Sequence, residues 1–460
     1  MTSRGGRGGR LTLRPTNVNV EGLLTVLGQY LYRSPHAALR ELVQNAHDSI
    51  VRRRLEDPGF AGGSIHVGVD PGAREVFVED DGAGLTEDEI HRYLATIGSG
   101  YTRELRESSG SEDLIGLFGL GFVSAFVLAR EVAVETTSHR DPSATHLYRS
   151  ADGQRYTVSP MATAAPGTRV TVALKNEHVD LCDAAVLERI LGHYCALLEV
   201  PLTVGDAADA VNAEPPPWRG DGRDEHPAFA YRRDLDFAMR MERRFEPLAV
   251  MRVAPRDGGD AHGLLWINGG NSYATSDQRR VGVYVRGMLL DDDARELLPT
   301  WAGFVSGAIE SRSLTPTANR EDLHRDAGYD AVRAQLQATL VEGLSALPDR
   351  QPEAWRRVLR RHNEALLGAS LCDERLFTLL VDDVKLPTTD GDLTARDAVR
   401  AGGGRLHVAV DANDDMGLTL FRALRIPVAR GERFAVLSFA HRYCRAMRAR
   451  LVEVGSEKGE

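Results

Sequence analysis

Three short stretches carry side chains whose types and spacing suit ligand chemistry. In "RELVQNAHDSI" (40–50), Glu41, Asn45 and Asp48 share one side of a helical pattern. At about 100° per residue they fall within roughly 60° of one another. Leu39, Leu42, Val43, Ala46 and Ile50 form the apolar stripe of the same helix. A polar stripe of this kind is either solvated or holds a ligand, and taken alone the solvated reading is the ordinary one. In "VEDDGAGLTEDEI" (78–90), a strand runs into Asp80 and Asp81 and then into Gly82 and Gly84. Glycines permit a tight turn and close approach of a ligand, and a neighbouring carboxylate accepts hydrogen bonds from an exocyclic amine. Turns of aspartate and glycine are common, so this string alone decides little. In "DLIGLFGLGFVSAFVLA" (113–129), Gly116, Gly119 and Gly121 precede an apolar helix. Unpaired N–H groups and the positive dipole end at a helix start suit a polyphosphate; close helix packing is the bland use of the same glycines. The run is not a Walker loop, since no GK[ST] occurs in the chain, and no strand leads straight into a GxGxxG turn.

The surrounding pattern supplies elements to position these groups. Residues 1–15 are glycine and arginine rich and read as a disordered tail. Helical periodicity covers 19–32 and 36–56, the second ending at "EDPG". β-type runs follow at 64–69 and 74–79, then a loop and helix region from 86 to about 130. Further strands are expected at 131–137, 145–150, 154–159 and 167–174, with "ADG" and "APG" turns that suit an antiparallel meander. Residues 16–205 therefore read as helices laid on one face of a mostly antiparallel sheet, an α+β arrangement. The charge-, proline- and glycine-rich stretch 206–245 reads as a linker. Beyond it, 246–350 carries strands at 247–253, 263–267 and 281–286 and helical patterns at 292–308 and 328–346. After a break at 347–355, residues 351–460 read as a helical stretch and a small α/β unit with strands at 405–410 and 433–439.

Bulk properties bound the function. The chain has 460 residues, 42% hydrophobic and 27% charged, enough for several cores of ordinary size. No apolar run has the length of a membrane span and the basic N-terminus lacks an apolar segment behind it, so a cytoplasmic location is expected. Cys182, Cys195, Cys372 and Cys444 form no CxxC pair, which argues against a zinc ribbon or a disulfide framework. A net charge of −10 disfavours a general nucleic-acid surface, although "RRVLRR" (356–361) is a local basic patch. Lys175, Lys385 and Lys458 are the only lysines among 56 basic residues, so the mere presence of an arginine assigns it no role.

The three stretches in this order, with "GTRVTVAL" (167–174) following, resemble the GHKL ATPase superfamily. Within it the chain is most similar to the heat shock protein 90 family. "VNVEGLLTVLGQYLYRSPHAALRELVQNAHDSI" looks like that family's opening helices and "TIGSGYTRELRES…DLIGLFGLGFVSAF" like its lid. "VGVYVRGMLLDDDARELLPTWAGFVSGAIESRSLTPTANREDL" (281–323) is similar to the middle domain of the same chaperones. The resemblance implies an N-terminal GHKL (Bergerat) ATP-binding sandwich followed by an α/β middle domain, with ATP and Mg²⁺ as cofactors. Glu41 would orient or deprotonate the attacking water and Arg320 would neutralise the γ-phosphate. Asn45 would bind Mg²⁺ through its amide oxygen, with Asp48 completing the helix motif. Asp80 would take the adenine amino group, while Gly82, Gly84 and Thr168 complete the base pocket. Gly116, Gly119, Leu120, Gly121 and Phe122 would face the phosphates.

The chain departs from the family at Leu117 and His324, where glutamine is usual, at Gly98, where lysine is common, and at Asp81, where serine or asparagine is usual. The family's C-terminal dimerisation domain is not expected here, so a homodimer would form on ATP closure or through the final helix. The implied function is an ATP-dependent chaperone that binds and hydrolyses ATP to drive lid and domain closure on client proteins. Two alternatives stay open: a DNA-linked GHKL ATPase, and a nucleotide-sensing scaffold with little hydrolysis.

Overall fold

The computed structural model describes residues 35–94, 122–220, 226–270, 277–317, 323–410 and 415–455. The chain divides into two compact units: Met1–His193 with Val200–Ala213, and Tyr194–Glu199 with Glu214–Glu460. Among the described residues, no helix is long and apolar enough to cross a membrane. The helical pattern at 19–32 lies outside the described residues, as does 95–121 of the loop and helix region.

Unit 1 is built on a seven-stranded sheet in the order β5-β4-β3-β6-β2-β1-β7. The strands are β1 (Ile65–Asp70), β2 (Glu75–Asp80), β3 (Ala129–Thr137), β4 (Thr145–Ser150), β5 (Thr157–Met161), β6 (Gly167–Leu174) and β7 (Leu202–Val204). Every neighbouring pair is antiparallel except β1 with β7. This is the expected α+β arrangement with an antiparallel-dominated sheet.

Helix α1 (Pro35–Glu56) packs on β1, β2 and β6. Leu39, Leu42, Val43, Ala46 and Ile50 are buried, as their spacing requires. The helix closes where the Asp57 N–H reaches the Arg53 carbonyl at 2.8 Å, and Pro58 and Gly59 cannot extend it. In β2, alternation sends Val76, Val78 and Asp80 to the buried side. Asp80 thus occupies a position where a core side chain would ordinarily sit. Helix α2 (Ala184–Tyr194) adds Leu187, Ile190 and Leu191 to the buried set.

Unit 2 holds two five-stranded sheets. The first, β11-β10-β12-β9-β8, uses β8 (Pro247–Val253), β9 (His262–Asn268), β10 (Arg280–Val285), β11 (Met288–Asp291) and β12 (Val305–Glu310). The second, β14-β13-β16-β15-β17, uses β13 (Lys385–Thr388), β14 (Gly391–Thr394), β15 (Arg405–Ala409), β16 (Val428–Arg430) and β17 (Arg450–Val454). Between them run α4 (Ala327–Arg350), α5 (Pro352–Cys372) and α6 (Glu374–Leu380), after α3 (Pro227–Met241) earlier in the chain. One continuous apolar cluster joins Leu265 and Val305 of the first sheet, through Leu340, Trp355 and Leu366, to Leu406 and Phe439.

Four expectations are corrected in unit 2. The stretch 206–245, read as a linker, contains α3. Pro227 occupies its first turn, the Ala228 N–H donates to His226 Nδ1 at 3.2 Å, and Phe237 and Ala238 are buried against Val250, Leu264 and Trp266. Its polar composition reflects the outward face of an amphipathic helix. The helix read at 292–308 is instead a single 3-10 turn, Arg295–Leu297, followed by β12. β12 lies between β10 and β9 and is buried on both faces, so it shows no period-2 alternation. The strand read at 433–439 is instead a turn leading into α7 (Val436–Met447), where Val436, Phe439, Ala440, Tyr443 and Cys444 are buried at helical spacing. The break at 347–355 shrinks to Gln351, because Pro348 falls in the last turn of α4 and Pro352 in the first turn of α5.

Arg252 of β8 grips the buried Asp234 of α3 through Nε (2.5 Å) and Nη2 (2.7 Å). Asp234→Ala is expected to destabilise unit 2 by about 2 kcal/mol, the usual worth of hydrogen bonds to a charged group. A lowered denaturant midpoint with an unchanged slope would be the readout; an unchanged midpoint would remove α3 from the stable unit.

Candidate nucleotide-binding site

Helix α1 buries an unusual set of polar side chains: Arg40, Glu41, Gln44, His47, Asp48 and Arg52. Glu41 is 1% exposed and Asp48 is 6% exposed, whereas Asn45 between them is open to solvent. Arg40 Nη2 lies 3.4 Å from Glu41 Oε1, and His47 Nδ1 lies 3.4 Å from Asp48 Oδ1. Charged groups are desolvated at a cost unless partnered or held for a ligand, so this helix is not simply a wet surface.

Asp80 ends β2 directly across from Thr168 of β6 and Ile65 of β1. Its Oδ1 accepts two hydrogen bonds, from Ser49 Oγ at 2.8 Å and from the Gly82 N–H at 2.9 Å. Ser49 also ties α1 to the turn, because the Ala83 N–H reaches Ser49 Oγ at 3.1 Å and the Ser49 carbonyl at 3.0 Å. Two close approaches, of α1 at Gly82 and of the end of β3 at Gly84, leave no room for side chains at the two glycines. A Cβ on Gly82 would lie 2.3 Å from Ser49 Oγ. At Gly84 it would lie 1.9 Å from the Thr137 carbonyl oxygen, and φ is +62°.

Thr168 Oγ1 sits 3.0 Å from Thr136 Oγ1, which accepts the Leu85 N–H at 2.9 Å and reaches the Gly167 carbonyl at 3.2 Å. The structure therefore brings Asp80, Gly82, Gly84 and Thr168 to one place. Asp81 instead holds the chain just before β1, where its Oδ1 accepts the Ser64 N–H at 2.7 Å and its Oδ2 the Ser64 hydroxyl at 3.3 Å. Phe122 opens a 3-10 turn, its ring set edge-on against Phe126 and Tyr148. The His324 N–H bonds the Thr315 carbonyl at 2.9 Å. Gly98, Gly116, Leu117, Gly119, Leu120, Gly121 and Arg320 lie outside the described residues.

A charge network centred on the buried Arg52, which the sequence reading missed, braces the turn. Arg52 reaches Glu56 through Nε (3.0 Å), Glu89 through Nη2 (2.5 Å) and the Gly84 carbonyl through Nη1 (3.4 Å). His139 Nε2 lies 2.8 Å and Arg140 Nη2 2.7 Å from the Glu56 carboxylate. Glu89 completes a capping box with Thr86. The "TEDE" string in "GLTEDEI" signals that box, but nothing local pairs Arg52 with it.

Burial pushes the Asp80 carboxyl up from 3.8 to about 7, against the hydrogen bonds from Ser49 and Gly82, with Asp81 and Glu79 adding to the rise. A carboxylate in this state, with both its bonds on one oxygen, suits an amino-bearing base that would stabilise the charged form. For Mg²⁺, which keeps several waters and takes few protein ligands, the open Asn45 amide is a fitting donor. In the ligand-free protein between pH 4 and 7, native Asp80 holds a proton that the unfolded chain has released. The contribution of Asp80 to stability therefore falls as pH rises through that window and levels off above it. Asp80→Asn removes this slope, so its unfolding midpoint relative to wild type should climb between pH 4.5 and 7.5; parallel curves would refute the burial of an ionisable group.

Residues 32–178 match the family described as histidine kinase-, DNA gyrase B-, and HSP90-like ATPase. The chain is 28% identical over 354 residues to the chaperone protein HtpG of Chlorobium phaeobacteroides, covering 73% of this chain and 56% of that one. It is 26% identical over 411 residues to HtpG of Chromobacterium violaceum, covering 82% and 64%. For HtpG of Streptomyces coelicolor the figures are 28% over 383 residues, covering 74% and 59%. These alignments are longer than unit 1, so the likeness continues into unit 2. The chain spans only about 54–64% of the length of such relatives. The chain is thus similar over about three quarters of its length to HtpG chaperones, and its residues 32–178 are similar to the histidine kinase-, DNA gyrase B- and HSP90-like ATPases.

Proposed function

We propose that this protein binds and hydrolyses ATP and uses the cycle to close on client proteins in the manner of a heat shock protein 90 chaperone. The observation that carries the reading is the desolvated Asp80 carboxylate, presented at a strand end beside a glycine turn that only close backbone contact permits. An adenine amino group donates to Asp80, with Gly82, Gly84 and Thr168 around the base. Asn45 holds Mg²⁺, which when bound neutralises charge on the phosphate oxygens. Asp48 supports that end of the site. Gly116, Gly119, Leu120, Gly121 and Phe122 offer backbone N–H groups to the phosphates.

Glu41, buried on the same helix as Asn45, orients the attacking water or takes its proton, and Arg320 stabilises charge on the γ-phosphate. Client binding is supported by the likeness to the HtpG chaperones, and a homodimer formed on ATP closure is a further part of the proposal. The net charge of −10 weighs against DNA as the partner.

Steady-state hydrolysis and equilibrium nucleotide binding on folded variants test the assignment. Asp80→Asn should abolish ATP binding. Glu41→Ala should retain binding and lose turnover by at least about a hundredfold, the usual share of a general base. Arg320→Ala should lower turnover with affinity nearly unchanged. Turnover in Glu41→Ala equal to wild type would overturn the hydrolytic reading, and an unaltered rate in Arg320→Ala would remove that residue from the mechanism.

A further inference from the structure

The Ser49 hydroxyl is the unexpected member of the Asp80 site. It is a single atom that donates to Asp80 Oδ1 at 2.8 Å and accepts the Ala83 N–H at 3.1 Å, so its hydrogen is committed to the carboxylate. The Gly82 N–H fills the same oxygen at 2.9 Å. Oδ1 is therefore an acceptor in both protonation states. A proton on this carboxyl has only Oδ2 to occupy. An ionised Oδ2 accepts a hydrogen bond from a 6-amino purine, whereas a protonated Oδ2 donates one, and a 6-oxo purine has the matching acceptor.

We propose that Ser49 is a positioning residue that confines the Asp80 proton to Oδ2, so that the site prefers a 6-amino purine nucleotide when Asp80 is ionised and admits a 6-oxo purine nucleotide when Asp80 is neutral. This rests on the nucleotide reading above and deepens it by naming what sets base choice. The charges that act on Asp80 are Asp81 and Glu79 along the chain; the charged residues on the packed elements are Asp48, Arg52 and Arg53 on α1 and Arg169 on β6, the last paired with Glu79 at 3.1 Å. Arg53 Nη1 is spent on the Asp81 carbonyl at 2.7 Å and Arg52 on Glu56 and Glu89. The lift of the Asp80 carboxyl to about 7 puts the exchange within a testable range.

The experiment is calorimetric titration of the full chain with ADP and with inosine diphosphate, each with Mg²⁺, from pH 5.5 to 8.5. Phosphate ionisation is common to both ligands and cancels in the ratio of their affinities. The ADP to inosine diphosphate ratio should fall by up to about tenfold per pH unit as pH drops through the Asp80 range. Ser49→Ala removes a donor to the charged form, so the same fall should begin about one pH unit higher. Ser49→Thr, which keeps the hydroxyl, should restore the wild-type profile. A wild-type ratio that stays constant with pH overturns the proposal, as does a folded Ser49→Ala whose profile matches wild type. If the wild type binds neither nucleotide at any pH, it is the nucleotide reading that fails instead.

Discussion

Unit 1 is organised around one costly placement: a carboxylate on the buried side of a strand end. Alternation along β2 carries Val76 and Val78 into the space under α1, and Asp80 is the next residue in that row. An unpartnered charge there would cost several kcal/mol, and the protein limits the cost in two ways. It lets the carboxyl remain partly protonated near neutrality, and it supplies donors from Ser49 and Gly82. These devices require α1 to approach the turn closely at Gly82, where a Cβ would meet Ser49, while at Gly84 the end of β3 closes in and a Cβ would meet the Thr137 carbonyl. The two glycines of the DxGxG string thus answer to packing inside the protein, Gly82 against the helix and Gly84 against the end of β3.

The same turn is held from the outside by ionic contacts. Arg52 connects the Gly84 carbonyl to Glu56 and Glu89, and His139 and Arg140 join at Glu56. Desolvation offsets much of the attraction in such part-buried pairs, whereas removing one partner would leave the buried Arg52 uncompensated. Here the arrangement enforced is that of α1, the glycine turn and the end of β3 around one carboxylate. Under the proposed function, a ligand amine at Asp80 would meet a carboxylate already held by Ser49 and Gly82.

Unit 2 is held differently, by apolar packing that runs without interruption from the first sheet through α4 and α5 into the second. The two parts that the sequence separates at residue 350 share this core, so perturbing Trp355 or Leu366 acts on both sheets. α3 is attached to the first sheet by the Asp234–Arg252 pair and the Phe237 contact. A segment whose composition reads as linker is thereby part of the folded block.

The sequence by itself determined what depends on neighbours along the chain. The apolar period of 36–56 locates α1 to within a residue, and the Asp-Gly-Ala-Gly string after a β-type run marks the turn. Strands at 145–150, 167–174 and 247–253 are found at their expected bounds. It failed where burial on all sides erases periodicity, as in Val305–Glu310, and where a short apolar run fits either period, as before Val436–Met447. The tertiary structure alone decided the electrostatic state of the site. Ser49 and Asp80 are 31 positions apart and Arg52 and Glu89 are 37 apart, so neither pairing leaves a local trace. Whether Glu41 and Asp80 are hydrated or desolvated is likewise set by what packs over them, because the energy of a charge depends on its surroundings in space and not on its place in the chain.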